Sequence, residues 1–138
     1  MQAHRAPRWL PGGHLQTIYA ALAAPRPHVA WRRERWDTPD GDFIDVDFLA
    51  DTPAGAPLLV LFHGLEGDRT SHSSVAFASA ARARGWGLAL PHFRGCSGEL
   101  NRAPRTYHSG DFEEVGWILS QFRHKHSGPI VAVGISLG

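Results

Sequence analysis

The 138-residue chain reads as an α/β domain, a parallel sheet behind an antiparallel hairpin, on three observations. Apolar runs at Leu58 to Phe62, Leu88 to Leu90 and Ile130 to Val133 lack the alternation of a half-wet strand, as parallel strands covered by helices on both sides should. Stretches of helical character lie between them. Upstream, Trp31 to Trp36 and Phe43 to Phe48 flank an Asp-Gly turn, the pattern of a hairpin.

In order along the chain, Met1 to Pro27 scatters Trp9, Leu10, Ile18, Tyr19 and Leu22 among prolines and glycines, so residues 1–29 are expected to form an extension to the first portion of a single domain over 30–138. Within it, Ile18 to Ala24 is apolar, and Ala21-Leu22-Ala23 has the form of a signal-peptidase site. Pro11, Gly12, Gly13, His14 and Gln16 occupy the place where a signal core would extend, so a short surface helix ending at Pro25 is expected instead. No run approaches the ~18 apolar residues of a membrane span. In the second hairpin strand Ile44, Val46 and Phe48 alternate with Asp45 and Asp47, which predicts a buried face and a solvated one. A helix is predicted over Ser73 to Arg84, closing at Gly85. A second helix should be capped by Asp111 with Glu114 three residues on, carry the stripe Phe112, Val115, Ile118, Leu119, Phe122, and end in Arg123, His124, Lys125 and His126.

Composition narrows the function. With 20% charged residues and a formal net charge of +1, the chain lacks the basic excess of a nucleic-acid binder. A single cysteine, Cys96, excludes an internal disulfide and fits a reducing compartment, so the cytoplasm is the expected location. No cofactor and no metal site is implied: Asp45 and Asp47 have no histidine company, and His124 and His126, two apart on a helix, point in different directions.

The chemistry is concentrated where Ile130 to Val133 runs into Gly134-Ile135-Ser136-Leu137-Gly138. This is the G-x-S-x-G pattern that places a serine on a sharp strand-to-helix turn with its Oγ exposed. One strand-helix-strand-helix unit earlier, the strand Leu58 to Phe62 runs into His63-Gly64-Leu65-Glu66-Gly67, whose glycines allow backbone N–H groups to turn toward a substrate oxygen. The two oxyanion donors would be the amides of Leu65 and Leu137. A dinucleotide site is disfavoured, because the motif is not G-x-G-x-x-G.

Along almost its whole length the chain resembles the YheT-like branch of the α/β-hydrolases, esterase-type enzymes. The resemblance lies in residues 10–17 (LPGGHLQT), 38–42 (TPDGD), 63–67 (HGLEG), 93–98 (FRGCSG), 107–111 (YHSGD) and 134–138 (GISLG). It implies an α/β-hydrolase fold and a nucleophile at Ser136, with a triad Asp and His later in sequence than the elbow. It also implies short- to medium-chain acyl esters or lipids as substrates. On that expectation the chain stops just after the nucleophile strand, the 138 residues alone are inactive, and the last strand offers an open edge for self-association. A noncatalytic fragment or pseudoenzyme serving as an interaction module is the alternative. None of the nine histidines is then the base: His63 opens the oxyanion loop, His92 follows a strand and His108 precedes a helix. Cys96 reads as a partly buried structural thiol.

Overall fold

The computed structural model describes residues 7–23, 28–65 and 67–138. Its elements are α1 (Gly13–Leu22), β1 (Trp31–Asp37), β2 (Phe43–Leu49), β3 (Leu58–Phe62), α2 (His72–Ala83), β4 (Gly87–Pro91), α3 (Phe112–Lys125) and β5 (Ile130–Gly134). The surface helix predicted at residues 18–24 begins earlier, at Gly13, and the predicted stop at Pro25 lies outside the described residues.

One five-stranded sheet runs in the order β1-β2-β4-β3-β5. β1 and β2 form the hairpin, β2 pairs antiparallel with β4, and β4, β3 and β5 are parallel. The core lies on both faces of this sheet. On one, Trp36, Ile44, Val46, Val60, Phe62, Ala89 and Phe93 pack with Ile118 and Phe122 of α3. On the other, Leu49, Leu59, Leu61, Leu88 and Leu90 pack with Ala78 and Ala81 of α2. Alanine on the buried face of α2 lets that helix lie close to the strands, and Ser71 caps it by accepting the Ser74 N–H.

Three expectations need correction. Asp45 and Asp47 do not face solvent: Asp47 is 0% exposed and Asp45 2%. Arg33 grips Asp47 through Nε and Nη2, both at 2.8 Å, and Arg35 grips Asp45 at 2.8 and 2.9 Å. Because β2 lies between β1 and β4, its second face is roofed by these arginines and by the loop after β4, where the Ser97 carbonyl accepts from Arg33. Phe112 is 79% exposed and leaves the α3 stripe, whose buried members are Ile118 and Phe122. Asp111 does cap α3, accepting the Glu114 N–H, but the Glu114 carboxylate turns inward to Arg94 Nε at 2.6 Å instead of reaching back to the cap.

Candidate active site

The parallel strands end together, and their carboxyl edge gathers the loop after β3, the turn after β4 and the turn after β5. The N-terminus of α3 joins them, through the Glu114–Arg94 contact, and so does the start of β2, because Val46 is in register with Pro91.

After β5 the chain turns at Ser136, the one non-glycine among the described residues with positive φ, at +57°. A left-handed conformation costs a residue with a Cβ roughly 1–2 kcal/mol, and it persists only where the surroundings enforce it. They do so by close approach. A Cβ on Gly134 would stand 2.2 Å from the Gly138 carbonyl oxygen, and one on Gly138 would stand 2.3 Å from the Phe62 carbonyl oxygen. The turn closes through Gly138 N–H to the Ile135 carbonyl and Ile135 N–H to the Phe62 carbonyl, each 3.0 Å.

The loop after β3 lies against this turn. A Cβ on Gly64 would meet the Ile135 carbonyl oxygen at 3.2 Å and Ser136 Cβ at 3.3 Å, so only a glycine backbone fits without displacement. The structure therefore brings Gly64 and Ser136 together. Leu65 follows with its side chain largely exposed, and Glu66, the fourth residue of that motif, lies outside the described residues. Among the described residues no backbone carbonyl accepts the Leu65 or Leu137 N–H.

His63, His92 and His126 are engaged elsewhere. His63, 1% exposed, places Nδ1 2.7 Å from the Gly64 carbonyl and Nε2 3.1 Å from the Phe93 N–H. Burial holds its pKa below the ordinary imidazole value, against the opposing effect of the Gly64 bond. His92 places Nε2 2.7 Å from Asp47. Burial by itself would raise the Asp47 carboxyl, but its bonds to Arg33 and His92 hold it well below the usual carboxylate range. His126 caps α3 in an extended conformation and bonds the Ala56 carbonyl, so it forms no pair with His124. Cys96 is partly buried and packs beside the Trp36 and Phe93 core. No group of three or more potential metal ligands occurs among the described residues.

A polar frame that no sequence motif announced stands beside the site. Asp42, 0% exposed, accepts from Arg94 Nη1 at 2.9 Å, from the Asn101 amide, and from the backbone N–H groups of Phe43, Arg102 and Ala103. Burial opposes its ionisation, and these donors outweigh that and hold its pKa well below the usual carboxylate range. Arg94, with its side chain 3% exposed, also reaches Asp40 and Glu114. The signal available was an arginine three residues after β4, in a turn otherwise rich in glycine, with an aspartate in the hairpin turn. Nothing in their spacing says that they meet.

No family model matches the chain. Over 129 residues it is 43% identical to YheT of Escherichia coli (strain K12), a protein named as an esterase, and the match covers 91% of this chain. The chain is a homologue of the YheT-like α/β-hydrolases. It is also 29% identical over 140 residues to an abhydrolase domain-containing protein of Dictyostelium discoideum, and 26% identical over 141 residues to human phospholipase ABHD3. The chain spans 38%, 35% and 34% of the lengths of these three relatives. Among solved structures, the mouse α/β-hydrolase domain-containing protein 10 superposes with a TM-score of 0.59 at 16% identity, over 78% of this chain and 40% of that one. An α/β serine hydrolase homologue from Coxiella burnetii gives 0.61 at 16% identity, over 77% and 52%. The fold is thus that of an α/β-hydrolase. No helix among the described residues is long and apolar enough to cross a membrane.

Proposed function

We propose that the full-length protein hydrolyses carboxylic esters, of short- to medium-chain acyl groups or lipids, through an acyl-enzyme on Ser136. The observation that carries this reading is the strained Ser136 at φ +57° with Gly64 packed against its turn. Relatives named esterase and phospholipase support an ester or lipid substrate. Ser136 Oγ attacks the carbonyl carbon and gives up its proton to a histidine base that the family places later in sequence. The carbonyl electrons move onto oxygen, where the Leu65 and Leu137 N–H groups hold the charge. Collapse expels the alcohol, which takes the proton from the histidine, and water then releases the acid. No cofactor takes part in these steps.

In the full-length protein, Ser136→Ala should abolish hydrolysis of p-nitrophenyl esters and labelling by a fluorophosphonate probe. Undiminished turnover would overturn the assignment. Among the described residues no hydrogen bond joins Ser136 to a histidine, the rings of His63, His92 and His126 being bonded elsewhere. The 138 residues by themselves should therefore match their own Ser136→Ala variant in ester hydrolysis, and a clear excess would mean that a base lies within them.

A further inference from the structure

We propose that His63 is a positioning residue for this reaction, a role that rests on the ester-hydrolase reading: its ring fixes the Gly64–Leu65 peptide in one orientation and so aims the Leu65 N–H. The Phe93 N–H can only donate, so Nε2 must accept and carries no proton. The Gly64 carbonyl can only accept, so Nδ1 must carry the proton. The ring is thereby fixed as the neutral Nδ1–H tautomer, and with both nitrogens committed it cannot serve as the base for Ser136.

The consequence travels through one peptide plane. The Gly64 carbonyl accepts two donors, His63 Nδ1–H at 2.7 Å and the Gly67 N–H at 3.0 Å. The Gly64–Leu65 bond is trans, so its C=O and N–H point in opposite directions. Pinning the carbonyl on the histidine side turns the Leu65 amide away from it. Rotating that peptide by half a turn would put a carbonyl oxygen where the donor stands and would repel a developing oxyanion. Gly67 belongs to the same clamp, since a Cβ there would stand 2.8 Å from His63 Cβ and 3.1 Å from Nδ1. Through Nε2 the clamp also ties this loop to the turn after β4, where Phe93 lies edge-on to the His63 ring at 4.9 Å.

The test uses the full-length protein and p-nitrophenyl acetate, with His63→Phe, which keeps ring volume but neither bond, and His63→Asn, which keeps an N–H near the Nδ1 position. His63→Phe should lower kcat about 100-fold, the effect of losing one oxyanion donor, with KM changed by less than about threefold. His63→Asn should restore about tenfold of that loss. A kcat within about threefold of the unsubstituted enzyme in His63→Phe, or no advantage of Asn over Phe, would overturn the role. If His63→Phe does not fold, His63→Gln, which can still accept from the Phe93 N–H but has no donor at the Nδ1 position, takes its place: a fall in kcat at constant KM supports the clamp, and an unchanged kcat overturns it. Nitrogen-15 spectra of the imidazole should show the Nδ1–H tautomer, and the Nε2–H tautomer would overturn the proposal whatever the rates. Absence of turnover in the unsubstituted protein would overturn the hydrolase reading and this role together, whereas turnover with an indifferent His63 overturns only the latter.

Discussion

The turn after β4 and the turn after β5 stand at the same edge of one sheet and are held by opposite means. After β4 the chain is fixed by charge: Arg94 sits among Asp40, Asp42 and Glu114, and Asp42 gathers three backbone N–H groups besides. After β5 it is fixed by exclusion. Gly134 and Gly138 approach neighbouring backbone so closely that a methyl group would collide, Gly64 leaves room for one only by a small displacement of the turn, and Ser136 is left in the left-handed region. The first kind of turn depends on groups that are present and partnered, the second on atoms that are absent. A polar frame tolerates small movements, since its bonds can be remade. A steric one holds a single geometry, which is what a reacting oxygen requires.

The largest effect on folding should come from breaking the polar frame. Asp42→Ala takes the side-chain acceptor from the N–H groups of Phe43, Arg102 and Ala103 and removes one of the three carboxylates around Arg94, and should cost about 3–5 kcal/mol. Thermal melting should fall by on the order of 10 °C, and a shift of only a degree or two would mean that solvent replaces Asp42 freely. In the steric turn, Gly134→Ala should cost about 1–3 kcal/mol. It should lower ester hydrolysis by the full-length protein about 100-fold, because Ser136 is displaced. Retained activity in that variant would show that the turn relaxes without moving the serine.

Loss of a cap is smaller. Asp111→Ala removes the acceptor for the Glu114 N–H and the partner of Arg105, at about 1–2 kcal/mol in urea unfolding. Asp111→Asn should recover most of it, and equal losses in both variants would assign the effect to charge alone. An acid-linked contribution comes from His63. Its folded pKa is depressed by burial, so the unfolded chain, with an imidazole near pH 6.5, binds the proton first as pH falls. The stability linked to neutral His63 is therefore complete above about pH 6.5 and declines below it. His63→Phe should flatten the change in urea midpoint between pH 7.5 and 5.5, and an unaltered slope would place the proton uptake on another group. Smallest of all is the exposed Arg32–Glu34 pair on β1, where Arg32→Ala should change stability by under about 0.5 kcal/mol.

Much of this architecture was legible before any coordinates. β3 runs over the same five residues that its uninterrupted apolar stretch marked, and α3 begins after the aspartate expected to cap it. Those features are local, since periodicity and capping depend on residues within one turn of helix or one pleat of strand. The juxtaposition of Gly64 with Ser136 was expected only through the order of two motifs, because 72 positions of sequence separate them and the pairing of β3 with β5 brings them together.

The remainder was decided by tertiary structure. Alternation in β2 gave the correct apolar face, yet the opposite face is dry, because two arginines of β1 and the loop at residues 92–99 close over Asp45 and Asp47. A carboxylate on a strand carries no local sign of whether water or a guanidinium will be its partner. Glu114 shows the same limit: three residues after Asp111 it has the spacing to cap a helix, but a buried Arg94 twenty positions away offers a stronger bond than a backbone N–H at the solvent edge. Local pattern determined the strands, the helices and the strained serine turn. Which charges are buried, and which peptide a histidine holds, followed from contacts between segments whose meeting only the folded sheet arranges.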